Sequence, residues 1–146
     1  MRYTITQSRL LYVLSINDRK HQGLLKIGEV FVDNDIADSK IRQELGKAVR
    51  AVLDARPYMQ GVSYHIEYVE CTTYDQDSKC YKADDVYRTL RAMDIPSKTL
   101  GKYKDPTTGQ TEDADIWFAC TIFDIQDVIC KIKQGKGAGH GAIKFR

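Results

Sequence analysis

No stretch of this sequence comes near the roughly twenty consecutive apolar residues that a membrane-crossing helix needs. The opening Met1-Arg2-Tyr3-Thr4 is polar, and the apolar run that starts at Leu10 is broken at Asn17, which argues against a signal peptide and makes the cytoplasm the expected compartment. Net charge is also missing: 22 Lys and Arg stand against 20 Asp and Glu, a formal +2. So slight an excess does not point to a polyanionic partner, and only local clustering of basic residues can. Cysteines at ligand spacing are absent. Cys71, Cys80, Cys120 and Cys130 are separated by at least eight residues, with no His at metal-ligand spacing, which argues against zinc. Free, mostly buried thiols in a reducing compartment are expected. No internal repeat is evident.

What is present is a 146-residue chain, 42% hydrophobic and 29% charged, an ordinary composition for one globular domain with a single core. Leu10 to Ile16 and Leu24 to Val30 are apolar segments joined by the polar loop Asn17 to Gly23, a pattern that predicts a β-hairpin. Lys26 and Glu29 interrupt its second strand, and a charge inside such a run asks for an explanation. Val32 to Asp38 reads as an acidic loop, after which Asp38 or Ser39 can cap a helix carrying Ile41, Leu45, Ala48, Val49, Val52 and Leu53 on one stripe. Pro57 ends it. Gly61 to Thr73 alternates as a third strand. Asp84 and Asp85 open a second helix, where negative charge suits the dipole, with Val86, Leu90 and Met93 inward. Lys98 to Asp115 reads as a long exposed loop and Ile116 to Phe123 as a strand; Asp124 then caps a helix with Ile125, Val128, Ile129 and Ile132 inward. The order predicts an α/β sandwich: a small mixed β-sheet flanked by helices. Residues 1–133 form the expected domain, and the Gly-rich 134–146 a linker toward a following one.

Tyr12-Val13 on the first hairpin strand and Lys26-Ile27-Gly28 on the second resemble the signatures of the GIY-YIG nuclease superfamily, in particular its phage and bacterial branch whose second signature begins with Lys. Tyr68-Val69-Glu70, Ala83-Asp84-Asp85-Val86-Tyr87 and Ile116-Trp117-Phe118 stand where nuclease-like domains found in front of DEAD/DEAH-type helicases carry a His-Thr-Glu-like strand end, an Asp-x-Asp-Val-His-like helix start and a Glu-Trp-Phe-like strand. The resemblance spans about residues 8 to 136. It implies a Mg- or Mn-dependent endonuclease acting on DNA, linked to a helicase. Tyr12 would orient the attacking water, Lys26 would hold a phenolate or a phosphate, Gly28 would let the backbone pass close to substrate, and Arg50 would hold the phosphate. Asp84 or Asp85, with Glu70 as partner, would carry the metal. Tyr87 stands at a catalytic position where those relatives carry His, as does Tyr68, and a phenol is a poorer base than imidazole at neutral pH.

Each of these residues also has a plain reading. Tyr12 can be a strand aromatic, Gly28 a bulge, Asp84 and Asp85 helix-dipole partners, and Arg50 an ion-pair partner of Glu44 and Asp54. Trp117 and Phe118 are expected in the core. His21 and His140 are expected in solvent, and His65 packed or at the surface. Lys98, Lys102, Lys104, Lys131, Lys133 and Lys136 are a basic set able to track a DNA backbone. Two rivals to an enzyme therefore stay open: a non-catalytic DNA-binding or targeting module on the same fold, and a protein-interaction domain.

Overall fold

The computed structural model describes residues 7–37, 41–73, 80–100, 103–104, 111–112 and 116–135. Strand β1 (Gln7–Ser15) lies between β2 (Lys26–Asp33) and β3 (His65–Cys71). Both neighbours run antiparallel to it, and the β1–β3 register shifts once, between Val13 and Leu14. The expected α/β architecture is what the chain adopts. Every described strand pairing is antiparallel, where a mixed sheet was expected, because β3 returns from its helix to the far side of β1 rather than beside β2.

β1 reads as an unbroken apolar run because both of its faces are buried. Leu10, Tyr12 and Leu14 point into one layer, and Leu11 and Val13 into the other. The sheet thus divides the expected single core in two. Helix α2 (Arg42–Asp54) follows the short α1 (Asn34–Ala37) and covers the first layer with Leu45, Val49 and Leu53. Helices α3 (Ala83–Ala92) and α4 (Ile122–Lys133) cover the second with Val86, Leu90, Ile125, Val128, Ile129 and Ile132. Two smaller ribbons complete the described structure: β4 (Ser97–Thr99) with β7 (Ile116–Phe118), and β5 (Tyr103–Lys104) with β6 (Thr111–Glu112). β7 joins the main sheet through Leu25, whose N–H donates to the Phe118 carbonyl at 2.9 Å and whose carbonyl accepts from Phe118 N–H at 2.8 Å. Its alternation feeds both layers: Trp117 enters the first and Phe118 the second, as expected of core residues.

Several boundaries differ from expectation. Val32 and Asp33 extend β2, and Asn34–Ala37 is helical rather than loop. The proposed caps Asp38 and Ser39 lie outside the described residues; Ile41, at the N-cap of α2, is 58% exposed instead of facing the core. Met93 is likewise exposed, being past the last turn of α3. The run Lys98 to Asp115 holds strand segments where a loop was expected, since exposed strands such as Ser97-Lys98-Thr99 carry no apolar alternation. Ile122 and Phe123 are helical, not strand: Thr121, rather than Asp124, is the N-cap, and its hydroxyl accepts from Asp124 N–H while the Asp124 carboxylate accepts from Thr121 N–H. All four cysteines are free, with Cys80 and Cys130 exposed and the other two half-buried, so the expectation of mostly buried thiols fails. Residues 136–146 of the expected linker lie outside the described residues. No described helix is long and apolar enough to cross a membrane.

Leu11→Ala removes a side chain with no exposed surface from a layer closed by two helices, and is expected to cost about 2–5 kcal/mol in denaturant unfolding. Thr121→Ala is expected to cost about 1 kcal/mol by the same measurement. A Leu11→Ala loss no larger than the cap's would contradict the double-layer description.

Candidate functional site

The hairpin register sets Tyr12 opposite Gly28 and Leu14 opposite Lys26. The Tyr12 ring crosses the strand at Gly28 so closely that a Cβ there would lie 2.8 Å from Tyr12 Cε2 and nearer still to the phenol oxygen. Only glycine fits beneath that ring. Tyr12 is thus buried by its partner strand, a strand aromatic with a specific seat. One residue along, Tyr87 reaches from α3 and its hydroxyl donates to the Ile27 carbonyl, while its ring stacks on Phe118 with centroids 5.5 Å apart. Burial, reinforced by the neighbouring Tyr12, Glu29 and Asp84, pushes the Tyr87 phenol well above its ordinary range. It is a hydrogen-bond donor at neutral pH and not a base.

Lys26 is only 8% exposed, and its ammonium lies 5.9 Å from the centroid of the Trp117 ring. A second side chain meets the same indole. His21, held at 2.7 Å by Asp18, has its ring centroid 4.5 Å from that of Trp117. It was expected in solvent, yet it is half-buried against the indole. The exposed Lys98 is the register partner of Trp117 in the β4–β7 ribbon, and directly opposed residues share a face. Lys26 and His21 therefore meet at one tryptophan, and Lys98 stands opposite it in the ribbon with its side chain in solvent.

The acidic candidates are not gathered. Asp84 is 57% exposed and pairs with Arg88 at 2.7 Å, one turn along α3. Asp85 accepts from Lys82 N–H at 2.9 Å, closing the first turn of the same helix. Glu70 accepts from Lys133 Nζ at 2.8 Å and from the Tyr68 hydroxyl at 3.0 Å. No three His, Cys, Asp or Glu side chains among the described residues form a metal-binding group. The expected donor set does not fit a divalent centre: one carboxylate closes the first turn of a helix, a second is neutralised by an ammonium, and the third is paired with a guanidinium at the surface. Of the basic set, Lys131 pairs with Asp127 and Lys133 with Glu70, while Lys102 and Lys136 lie outside the described residues and no side-chain position is described for Lys104. His140 is likewise outside, and His65 is at the surface.

Arg50 does not join the hairpin tyrosines. Its guanidinium lies 4.8 Å from the Tyr64 ring centroid, in place of the expected pairing with Glu44 or Asp54. Asp54 instead accepts from the Tyr64 hydroxyl at 2.8 Å. Burial, and then this carboxylate, raise the Tyr64 phenol to about 12.

Glu29 is a residue that sequence reasoning passed over as a site member. Its carboxylate accepts from Ala83 N–H at 3.1 Å, satisfying an unpaired donor at the start of α3, and sits 3.3 Å from Arg9 Nε. The charge that interrupts the β2 run is what fastens α3 to the sheet. Beyond the hairpin loop a cleft of about 740 Å³ opens, lined among others by Ser15, His21, His65, Glu67, Cys120 and Thr121. Glu67 accepts from Ser15 Oγ there at 2.6 Å, and burial, with Asp124, pushes the Cys120 thiol up to about 11, so no thiolate forms at neutral pH. Compared with family models, curated proteins and solved structures, the chain has no match among any of the three.

Gly28→Ala is expected to destabilise the domain by about 1–3 kcal/mol and to become nearly neutral in a Tyr12→Ala background, read as a double-mutant cycle in denaturant. Additive losses would mean the ring does not occupy the glycine's space. A pH series tests Tyr64. Its folded pKa lies above the ordinary 10.0, so its contribution is complete below pH 10 and is lost as pH rises toward about 12. Tyr64→Phe should flatten that part of the alkaline stability curve; an unchanged slope would remove Tyr64 from it.

Proposed function

We propose that this chain is a DNA-binding module on the GIY-YIG nuclease fold, which holds the phosphate backbone without building a metal centre of its own and targets DNA for a covalently linked helicase. The observation that carries the DNA reading is the placement of Lys26 over Trp117, next but one to Gly28 on β2, with Lys98 opposite the same tryptophan in the β4–β7 ribbon. An ammonium on the signature strand and an exposed second lysine supply two positive charges to one phosphate track. The resemblance of the Tyr12 and Lys26-Ile27-Gly28 signatures supports the fold family; the scattered carboxylates support binding over cleavage.

A Mg- or Mn-dependent endonuclease is the second reading. Asp84 favours it, a solvent-facing carboxylate close enough to Tyr87 to act on its phenol. A cation held by that residue would depend on substrate phosphates and water for its other ligands.

One set of measurements separates these. The chain should bind duplex or branched DNA with an affinity that falls linearly with salt on logarithmic axes, and Lys26→Ala with Lys98→Ala should reduce that slope by about two. Incubation with plasmid and branched DNA in Mg²⁺ or Mn²⁺ should leave the DNA intact. Cleavage abolished by Tyr12→Phe and Lys26→Ala at unchanged Tm would establish the endonuclease instead. Absence of salt-dependent binding would remove DNA as the partner.

A further inference from the structure

The edge of the main sheet changes character along β2. At Leu25 both main-chain groups are taken by Phe118 of β7, and Ile27 has its carbonyl occupied by Tyr87. Alternation along an antiparallel strand turns the N–H and C=O groups of every second residue the same way, so those of Glu29, Phe31 and Asp33 also point away from β1. No described strand lies beyond β2 there, and no described strand pairs with the main-chain groups of Glu29 and Phe31 or with the Asp33 N–H, while the Asp33 carbonyl accepts the first bond of α1. The side chain at the centre of this open stretch is Phe31, 53% exposed, with the Arg9 guanidinium 5.3 Å from its ring centroid. Helices α3 and α4 bury Ile27 on the same face of the sheet, and the start of α3 reaches Glu29, but Phe31 beyond it is left exposed.

Open edges are ordinarily protected by charge, and both flanking residues on this face are acidic. That charge also selects the occupant. A second copy pairing antiparallel about Phe31 would set Glu29 of each chain opposite Asp33 of the other, a like-charge juxtaposition. Glu29 is already turned toward Ala83 and Arg9, whereas Asp33 and the nearby Asp35 are exposed with no ion pair among the described contacts. An added strand with an aliphatic residue against Phe31 and a lysine or arginine against Asp33 meets both demands on one face, because residues two apart on a strand share it.

We propose that β2 from Glu29 to Asp33 is a docking edge for an extended basic peptide of a partner protein, which adds as the next antiparallel strand where β7 leaves off, with an aliphatic side chain on Phe31 and a cation on Asp33. The addition continues along one edge what β7 does at Leu25, and main-chain bonds supply affinity while the two side chains supply selectivity. It is independent of DNA binding, because Lys26 stands at the other end of β2 and Lys98 on β4.

The test uses the full 146-residue chain and the blocked peptide Ser-Thr-Lys-Thr-Val-Thr-Thr-Ser, followed by amide chemical shifts and by protection of the Phe31 amide from exchange. The lysine peptide is expected to bind and to shift Glu29–Asp33, and a glutamate in place of the lysine to bind about five- to tenfold more weakly. Asp33→Lys should reverse that order. Phe31→Pro removes an outward N–H together with the ring that the peptide packs on, and leaves the β1 ladder intact, so it should abolish binding at an unchanged Tm. Should it unfold the chain, a peptide N-methylated at the valine makes the same cut from the other side and should fail to bind. Three results overturn the proposal: no shift at about 1 mM peptide, equal binding of the lysine and glutamate peptides, or a concentration-dependent dimer through this edge, which would make the second copy its occupant.

Discussion

Strand β1 is buried on both faces and hydrogen-bonded along both edges, and this double demand shapes the rest of the chain. A strand with no solvent face needs a cover for each side, so one helix on one face and two on the other are the least the fold can use. It also needs neighbours that tolerate its bulk. Tyr12 is the largest side chain that β1 sends into the α2 layer, and the strand beside it yields by carrying no side chain at Gly28. Gly28 and Tyr12 are thus one packing unit, fixed by a steric requirement.

The same hairpin holds its residues together in a way that the scattered carboxylates are not held. Its tyrosine, lysine and glycine are tied together by main-chain register, which any change of fold would break. The carboxylates that a metal would need are tied to nothing in common. Each is held by a local or distant partner, Lys82 N–H, Arg88 or Lys133, and each of those interactions stabilises the domain without reference to the others.

Legibility in the sequence followed the range of the interactions. The hairpin, α2, β3 and α3 were readable because their apolar spacing is local and two-faced or amphipathic. The run Ile116 to Phe123 misled because a short apolar stretch does not distinguish strand from helix; the switch lies in Thr121, whose cap with Asp124 starts α4 three residues after the strand has ended. β4 was invisible because all three of its side chains face solvent. In the site, Tyr12, Lys26 and Gly28 were readable as a motif. The approach of Lys98 to Trp117 and of Lys133 to Glu70 was not, since strand pairing and helix docking bring together residues with no pattern connecting them in the chain. Glu29 was noticed as an anomaly in an apolar run, and its explanation, the open donor of Ala83, was on another element.

The Leu25–Phe118 bridge joins two ends of a loop that contains α2, β3 and α3. Contacts of such separation gain nothing until the intervening chain is already ordered, because the entropy of closing the loop is lost before the bond forms. β7 is therefore the latecomer of the assembly, and with it comes Trp117, the chain's single tryptophan, on which the basic residues meet. The hairpin can form early and hold its signature, but the positive surface exists only once the last strand has docked. Opening that bridge would part Lys98 and Trp117 from Lys26, and because it also withdraws Trp117 from one layer and Phe118 from the other, the arrangement around the tryptophan is as stable as the two layers themselves.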